Sequence, residues 1–394
     1  MGTRLAYIGG DRQLYVLSRT GLRQVTWSSS MAMGLWGGSA GSDGRTWPSW
    51  SPDGRWLASF HIDGGEDDVT TCRVSVVEVD GVQEEVLAEI EGALPIYIQW
   101  HSDGQRLAVL VQAEDELQLW TCTLHRIGEK LAVEQGVPLF FSWAPNNHYI
   151  AVHAGEPRRR GSGRLMLRNL TPTGEDGVFD ELPGSFCTPV FFNDRLLYVT
   201  GRGLLSHVCV SLPDGSSPQV IASMEGLLAV IPSPSGDRIA IASAPRGEGS
   251  PYRGIWVVDV DGGPVTQILS GECQAYFWLP DGQQMVYAQV DREANCLQWL
   301  LLTLATGESV SLGAFWPSRD QMFYLHFFEQ YYESHPLISP DGRTLIYAGH
   351  PGPDELGDRS SRLWRVDLQD PGSPPVAFAT GTFAVFSPGA PPAG

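Results

Sequence analysis

Lysine is almost missing from this chain: Lys130 is the only one among 394 residues, and the remaining positive charge is arginine. Lysine and arginine together number 26 against 45 aspartates and glutamates, giving a formal charge of -19 and a pI near 4.8. Holding a phosphate backbone takes concentrated basic side chains, so this balance argues against nucleic acid as a main partner. No two cysteines are spaced C-x-x-C, which removes the zinc-ribbon and redox-pair signatures. The six present (Cys72, Cys122, Cys187, Cys209, Cys273, Cys296) mostly sit in apolar strand patterns, where buried thiols are the expectation. No window reaches 18 apolar residues, so no direct membrane insertion is expected. The opening MGTRLAYIGGDRQLYVL scans as strand and not as a secretion leader, and a cytoplasmic protein is the expectation. No glycine-rich run carries the G-K-[ST] of a phosphate loop, and no cofactor is predicted.

Against those absences stands one phrase that returns: a hydrophobic residue, Ser-Pro-Asp-Gly or a worn version of it, then a short apolar strand. It occurs as WSPDGRWLASF from Trp50, WHSDGQRLAVL from Trp100 and WAPNNHYIAV from Trp143. FFNDRLLYV follows from Phe191, IPSPSGDRIAIA from Ile231, WLPDGQQMVYA from Trp278 and ISPDGRTLIYA from Ile338. A last copy, FSPG at Phe386, is cut short. A period of this length signals one supersecondary unit repeated and stacked, and it constrains the fold more than local propensity does.

Each full unit carries four strand signals separated by turn residues. In one they are TWPSW, RWLASF, CRVSVVEVD and EEVLAEI; in another, LLAVI, DRIAIAS, RGIWVVDVD and VTQIL. A four-stranded sheet cannot cover both of its faces alone, whereas neighbours around a ring can. The sequence therefore predicts an all-β fold: an eight-bladed β-propeller of four-stranded antiparallel blades, occupying 1–394 as a single domain. Seven blades follow instead if the weak unit near Phe191 is misread. TGTFAVFSPG supplies an innermost strand at the C-terminus, and TRLAYIGG, LYVLSRT and LRQVTWS supply the other three at the N-terminus. A C-terminal strand is thus expected to complete the N-terminal blade, leaving no open sheet edge. The turn residues Asp53, Gly54, Asp103, Gly104, Asp281, Gly282, Asp341 and Gly342 read as structural, because proline, aspartate and glycine each supply a turn requirement.

The phrase W-S-P-D-G-R-x-L-A, with a later strand ending in V-D-x-D-G, resembles the WD40-like repeats of the TolB family. It is also similar to the non-catalytic propeller of prolyl oligopeptidase-like proteins. The resemblance covers nearly the whole chain and implies the propeller fold; it leaves activity open.

Function is expected on the face opposite the short turns, where the loops are long and irregular. Candidate binding residues there are Trp36, in a Gly/Ser-rich stretch, His61 beside an acidic run, Arg159 in a basic loop and Arg246 in a mixed, Gly/Pro-rich one. The interval from Asp281 to Asp341 is 60 residues, against 41 to 50 elsewhere, and holds an aromatic insertion at 313–335. Within it Phe323, Phe327 and Tyr331 recur at spacing four, as do Tyr324, Phe328 and Tyr332. These spacings predict a short helix with two aromatic stripes, either docking a partner or packed on its own blade. With His326, Glu329 and His335 the stripe Phe323, Phe327 and Tyr331 completes the candidate binding face. Deleting Asp320 to Glu333 is then expected to leave the repeats folded and to abolish binding. Imidazoles beside carboxylates leave a divalent cation open, although no H-E-x-x-H or calcium-loop spacing occurs. The run F-F-x-Q-Y-x-x-S-H is similar to one in bacterial propellers encoded near ABC transporters, which implies an accessory role. A protein or peptide partner on the long-loop face is the leading expectation, and a lyase or hydrolase site at the channel mouth is the alternative.

Overall fold

Short strands that are apolar on both faces need sheets on both sides of them, so such a chain must stack sheet on sheet. The computed structural model describes all residues except 1–2, 28–43, 65–69, 82, 146–147, 157–162, 172, 180, 185–186, 203, 246–250, 351, 353–360 and 390–394. The first strands are β1 (Leu5–Gly9), β2 (Leu14–Ser18) and β3 (Gly21–Gln24). Next come β4 (Gly44–Trp50), β5 (Trp56–Gly64), β6 (Thr70–Glu78) and β7 (Glu84–Glu91), then β8 (Ala93–Trp100), β9 (Arg106–Ala113), β10 (Glu116–Thr123) and β11 (Lys130–Gly136). They continue as β12 (Leu139–Trp143), β13 (Tyr149–Gly155), β14 (Gly163–Asn169) and β15 (Gly177–Val178), then β16 (Val190–Phe192), β17 (Arg195–Arg202), β18 (Leu205–Ser211) and β19 (Gln219–Glu225). After these lie β20 (Leu227–Pro232), β21 (Arg238–Ala244), β22 (Tyr252–Asp259), β23 (Thr266–Trp278), β24 (Gln284–Asp291), β25 (Cys296–Thr303) and β26 (Glu308–Pro317). Two short helices, α1 (Arg319–His326) and α2 (Phe328–Tyr331), precede β27 (Thr344–His350), β28 (Arg362–Asp367) and β29 (Val376–Phe386).

The chain clusters into two compact units. One is Met1–Val133 with Phe315–Met322 and Glu333–Gly394; the other is Glu134–Ala314 with Phe323–Tyr332. In the first, β4–β7 and β8–β11 form antiparallel sheets in chain order. The strand β29 serves two sets. Its first half pairs with β28, and from Gly381 onward it pairs with β1, which is followed by β2 and β3. The truncated last copy of the repeat predicts this pairing. Gly381 sits at the crossing, where a Cβ would stand 2.3 Å from the Ile8 carbonyl oxygen.

In the second unit β12–β15 and β16–β19 are four-stranded antiparallel sheets, and β20–β23 pair in the same order. The strand β23 is again double, first beside β22 and then beside β24. The weak copy near Phe191 is a genuine hairpin: Phe192 pairs with Arg195, and Asn193 and Asp194 both take positive φ (41° and 55°). Two left-handed residues make the tight turn favoured between twisted strands, with asparagine and aspartate in place of glycine.

Period-two alternation builds the cores between sheets. On β17, Leu196 and Tyr198 join Ala151, Leu165 and Leu167 on one side. Leu197 and Val199 join Leu228, Val230, Ile239 and Ile241 on the other. Each such aliphatic side chain contributes roughly 1.5–3 kcal/mol of burial. The aromatic residues of the repeated phrase tie successive sheets together. Trp100 Nε1 donates to the Ser49 carbonyl (2.9 Å) in the first unit, and Trp278 Nε1 to the Ile231 carbonyl (3.3 Å) in the second. All six cysteines are buried thiols without disulfides.

The Ser-Pro-Asp-Gly turn is closed by its own side chains. Ser51 Oγ donates to Asp53 (2.6 Å) and accepts from the Trp56 amide (2.8 Å), while the Arg55 amide donates to Asp53 (3.0 Å). Gly54 N donates to the Ser51 carbonyl at φ 66°, a conformation that favours glycine. Ser339, Asp341 and Gly342 repeat the arrangement, and hydrogen bonds from Ser339 and Arg343 hold the Asp341 carboxyl below the usual range. At Asp103 and Asp281 the amides of Gln105 and Gln283 donate to the carboxylate, with Gly104 and Gly282 left-handed. These eight positions thus carry turn geometry.

Candidate functional site

The insertion interrupts the first strand of its set. Trp316 and Pro317 of β26 pair with His350 and Gly349, the chain then leaves, and it returns with Ile338 bridged to Leu345. Ser318 starts α1 as its cap: its Oγ accepts from the Gln321 amide (3.0 Å) and donates to the Thr382 carbonyl (2.7 Å). The expected single helix is two, broken at Phe327, whose φ of -116° and ψ of 30° are not helical. The buried face is Gln321, Tyr324, Leu325, Phe328 and Tyr331, an i, i+3, i+4, i+7, i+10 series that crosses from one expected stripe to the other. Phe323, Phe327 and Tyr332 are half-buried.

In the first unit, the missing length of strand leaves backbone groups of β27 to be satisfied. Gln321 Oε1 accepts from the Ala348 amide (3.0 Å), and the Ser318 amide donates to the Ala348 carbonyl (3.1 Å). Burial raises the Asp320 carboxyl above its ordinary value. At the far end of the insertion, Ser334 Oγ lies 2.7 Å from His335 Nδ1 and 2.7 Å from Tyr97 Oη. His335 is fully buried, its ring set among Trp47, Tyr97 and Phe383 at 5.7–6.1 Å.

In the second unit the first strands β12 and β20 are terminal in their sheets, so among the described residues each has one edge without a strand neighbour. Gln330 covers the first of these edges. Its Oε1 accepts from Phe141 N (2.9 Å) and its Nε2 donates to Phe141 O (2.8 Å), so one carboxamide occupies the place of a neighbouring residue's backbone. Glu329 covers the second by accepting from Val230 N (3.2 Å), and it also accepts from the Thr188 backbone. Burial pushes the Glu329 carboxyl well above the usual range, against the two backbone N–H groups that donate to it. Phe328 fills the space between them, edge-on to Tyr276 (5.0 Å), Phe277 (5.9 Å) and Tyr252 (6.0 Å), while Tyr324 stacks on Phe277.

The structure therefore divides the sequence candidates. Glu329, Tyr331 and His335 are buried side chains, and not surface groups as the binding-face expectation requires. The reason is that the insertion substitutes for strand neighbours and draws its polar groups inward. Phe323 and Phe327 pack together at 4.9 Å, His326 meets Phe327 edge-on at 4.7 Å, and His326 is exposed, so these three do share a surface. His61 lies on β5 opposite Arg45 and Arg73. Trp36, Arg159 and Arg246 lie outside the described residues, as does the string Gly37-Gly38-Ser39-Ala40-Gly41. That string spells a nucleophile-elbow pattern, which has its meaning only on a strand-turn-helix.

Sequence reading missed Gln321 and Gln330, because a glutamine carries no chemical signature until its backbone partner is known. It also missed two serine–histidine contacts, Ser334 Oγ with His335 Nδ1 and Ser223 Oγ with His207 Nδ1, each at 2.7 Å. Burial lowers His335 to a pKa of about 3, with a compensating hydrogen bond to the Trp47 backbone. A base that holds its proton so weakly is a poor match for work near neutral pH. Among the described residues, no group of three or more His, Cys, Asp or Glu is placed to hold a metal ion, and no helix is long and apolar enough to cross a membrane.

No protein-family model matches the chain, and no curated protein matches it in sequence. Solved structures do. A prolyl endopeptidase aligns over 87% of this chain with 14% identity and a TM-score of 0.57; the chain spans 50% of that enzyme's length. A eukaryotic initiation factor aligns over 98% of this chain and 99% of its own, with 12% identity and a TM-score of 0.51. TolB from Acinetobacter baumannii aligns over 85% and 83%, with 15% identity and a TM-score of 0.42, too loose to carry an argument. At these identities the likeness is one of fold alone, that of an all-β chain of antiparallel sheets.

Proposed function

We propose that the chain is a non-catalytic, eight-bladed propeller that binds a protein or peptide partner, with the set β29, β1, β2 and β3 closing the ring. The observation that carries the binding reading is the fate of the insertion. Glu329 and His335 are buried, with burial favouring the neutral form of each, and its carboxamides are bonded to strand backbones. What it leaves at the surface of the second unit is the aromatic group Phe323, His326 and Phe327. Aromatic side chains of this kind anchor protein contacts. On sequence grounds His61, Trp36, Arg159 and Arg246 are proposed as further partner contacts, and an accessory role to a transporter or other multiprotein system is the setting this reading suits.

A photo-crosslinking residue at position 326, used in an extract of the native cells, tests this reading. The expected result is one discrete cross-linked protein, lost in the Phe323→Ser/Phe327→Ser double variant while the melting temperature stays within a few degrees. Absence of any discrete product, or hydrolytic or lyase turnover that Ser334→Ala abolishes, would turn the reading toward an enzyme.

A further inference from the structure

Aspartate followed by glycine is the dipeptide most open to rearrangement of its own backbone. The glycine nitrogen can attack the aspartyl carboxyl, because glycine has no Cβ to block the approach. This chain holds ten such pairs. The side chains of Asp43 and Asp63 lie outside the described residues, and the other eight pairs fall into two groups. In the larger group are Asp53, Asp103, Asp176, Asp214, Asp281 and Asp341, and each carboxylate accepts a backbone N–H at 2.7–3.2 Å. Such a bond fixes the side-chain torsion and favours the charged carboxylate over the neutral acid. Hydrogen bonds from Ser216 and Ser339 accordingly hold the Asp214 and Asp341 carboxyls below the usual range.

Asp80 and Asp261 form the second group. They stand at equivalent places in the repeat, at the ends of Val77-Glu78-Val79-Asp80-Gly81 and Val258-Asp259-Val260-Asp261-Gly262. Their side chains are 71% and 79% exposed. Among the described residues each carboxylate meets one partner, an arginine side chain: Arg4 for Asp80 (2.8 Å) and Arg195 for Asp261 (2.9 Å). An exposed ion pair of this kind restrains little. The glycine N–H is engaged alike in both groups. Gly81 N donates to the Glu78 carbonyl and Gly262 N to the Asp259 carbonyl, as Gly54 N does to the Ser51 carbonyl. The hold on the carboxylate is therefore what separates the two groups.

We propose that Asp80 and Asp261 are sites of spontaneous modification, at which the folded chain converts aspartate to isoaspartate. The nitrogen of Gly81 or Gly262 forms a bond to Cγ of the protonated carboxyl, and the amide proton and the carboxyl hydroxyl leave as water. A succinimide ring results. Water adding back at Cγ restores aspartate. Water adding at the main-chain carbonyl carbon breaks the original peptide bond, and the chain then runs through the side-chain carboxyl with a free α-carboxylate. Atoms balance and no oxidant or reductant is consumed. The product carries one more methylene in its main chain, in a turn that is tied from outside. At Asp261 the carbonyl accepts from Gln219 Nε2 (3.0 Å) of β19, and the carboxylate meets Arg195 of β17. At Asp80 the flanking Val79 and Gly81 carbonyls accept from Arg23 of β3. Isomerisation displaces the groups that make these ties.

Ageing the full chain at mildly acidic pH and physiological temperature, then mapping its peptides by chromatography and mass spectrometry, tests the proposal. Peptides carrying Asp80 and Asp261 are expected to split into pairs of equal mass that elute apart, and those carrying the six amide-bonded aspartates to remain single. In urea, where unfolding releases every carboxylate, all eight should split, which makes the selection a property of the fold. Asp80→Glu and Asp261→Glu should each abolish the split at their own site, because the longer side chain closes its ring far more slowly. Splitting at Asp53 or Asp341 of the folded chain as fast as at Asp80 and Asp261 would overturn the proposal. So would single peaks at Asp80 and Asp261 in the folded chain while the urea sample isomerises.

Discussion

At Asp53 the carboxylate accepts from Ser51 and Arg55, both two residues away, and the turn it closes lies at the surface. At Glu329 the carboxyl accepts from Val230, 99 residues away, and at Gln330 the carboxamide clasps Phe141, 189 residues away. Both regions use polar side chains to satisfy backbone N–H groups. They differ in range, and range decides what a substitution costs. A local turn that loses a hydrogen bond can recruit water. A buried strand edge that loses its partner keeps the full desolvation penalty.

Removing the insertion is the harshest way to break the comparison. Replacing 320–333 with a short linker is expected to abolish cooperative melting. It deletes buried Tyr324, Phe328 and Tyr331 together and strips the partners of Phe141 and Val230. Phe328→Ala alone should cost about 3–5 kcal/mol in denaturant unfolding. This reverses the expectation drawn from the sequence, in which the insertion was separable.

That reversal shows where the sequence is legible. The repeat and its broken last copy announce the strand sets and the β29–β1 pairing, because every cue (Ser, Pro, Asp, Gly and the following apolar run) lies within a few residues of its partner. The aromatic spacing at 323–332 announces helical structure, yet not which stripe is buried. That choice depends on Tyr276, Phe277 and Tyr252, contributed by other strands. Gln330 is silent in the sequence for the same reason, whereas Glu329 and His335 attract notice through their chemistry and turn out to be buried.

A sharper cut is Gln330→Leu, which keeps the volume and removes both hydrogen bonds to Phe141. A loss of roughly 2–4 kcal/mol is expected from the stranded N–H and C=O, read by urea unfolding. Glu329 adds a pH dependence. Its folded pKa is raised, so the folded state holds a proton that the unfolded state releases above its own carboxyl pKa. Stability from this group is therefore full below the unfolded value and declines as pH rises toward the folded one. Thermal melts of Glu329→Gln, which stays neutral, should gain on wild type between pH 5 and pH 8. The smallest effect is expected at the surface turn: Ser51→Ala should cost about 1 kcal/mol, since only local hydrogen bonds are lost. If Ser51→Ala proved as damaging as Gln330→Leu, the contrast between local and long-range partners would fail.

The central claim is that side chains of the insertion stand in for strand neighbours at Phe141 and Val230. Native-state amide hydrogen exchange at these two residues tests it most directly. The account predicts protection comparable to amides paired inside the sheets, with Phe141 losing protection selectively in Gln330→Leu under conditions where the variant remains folded. Exchange of both amides in the wild type at the rate of an open loop would contradict it.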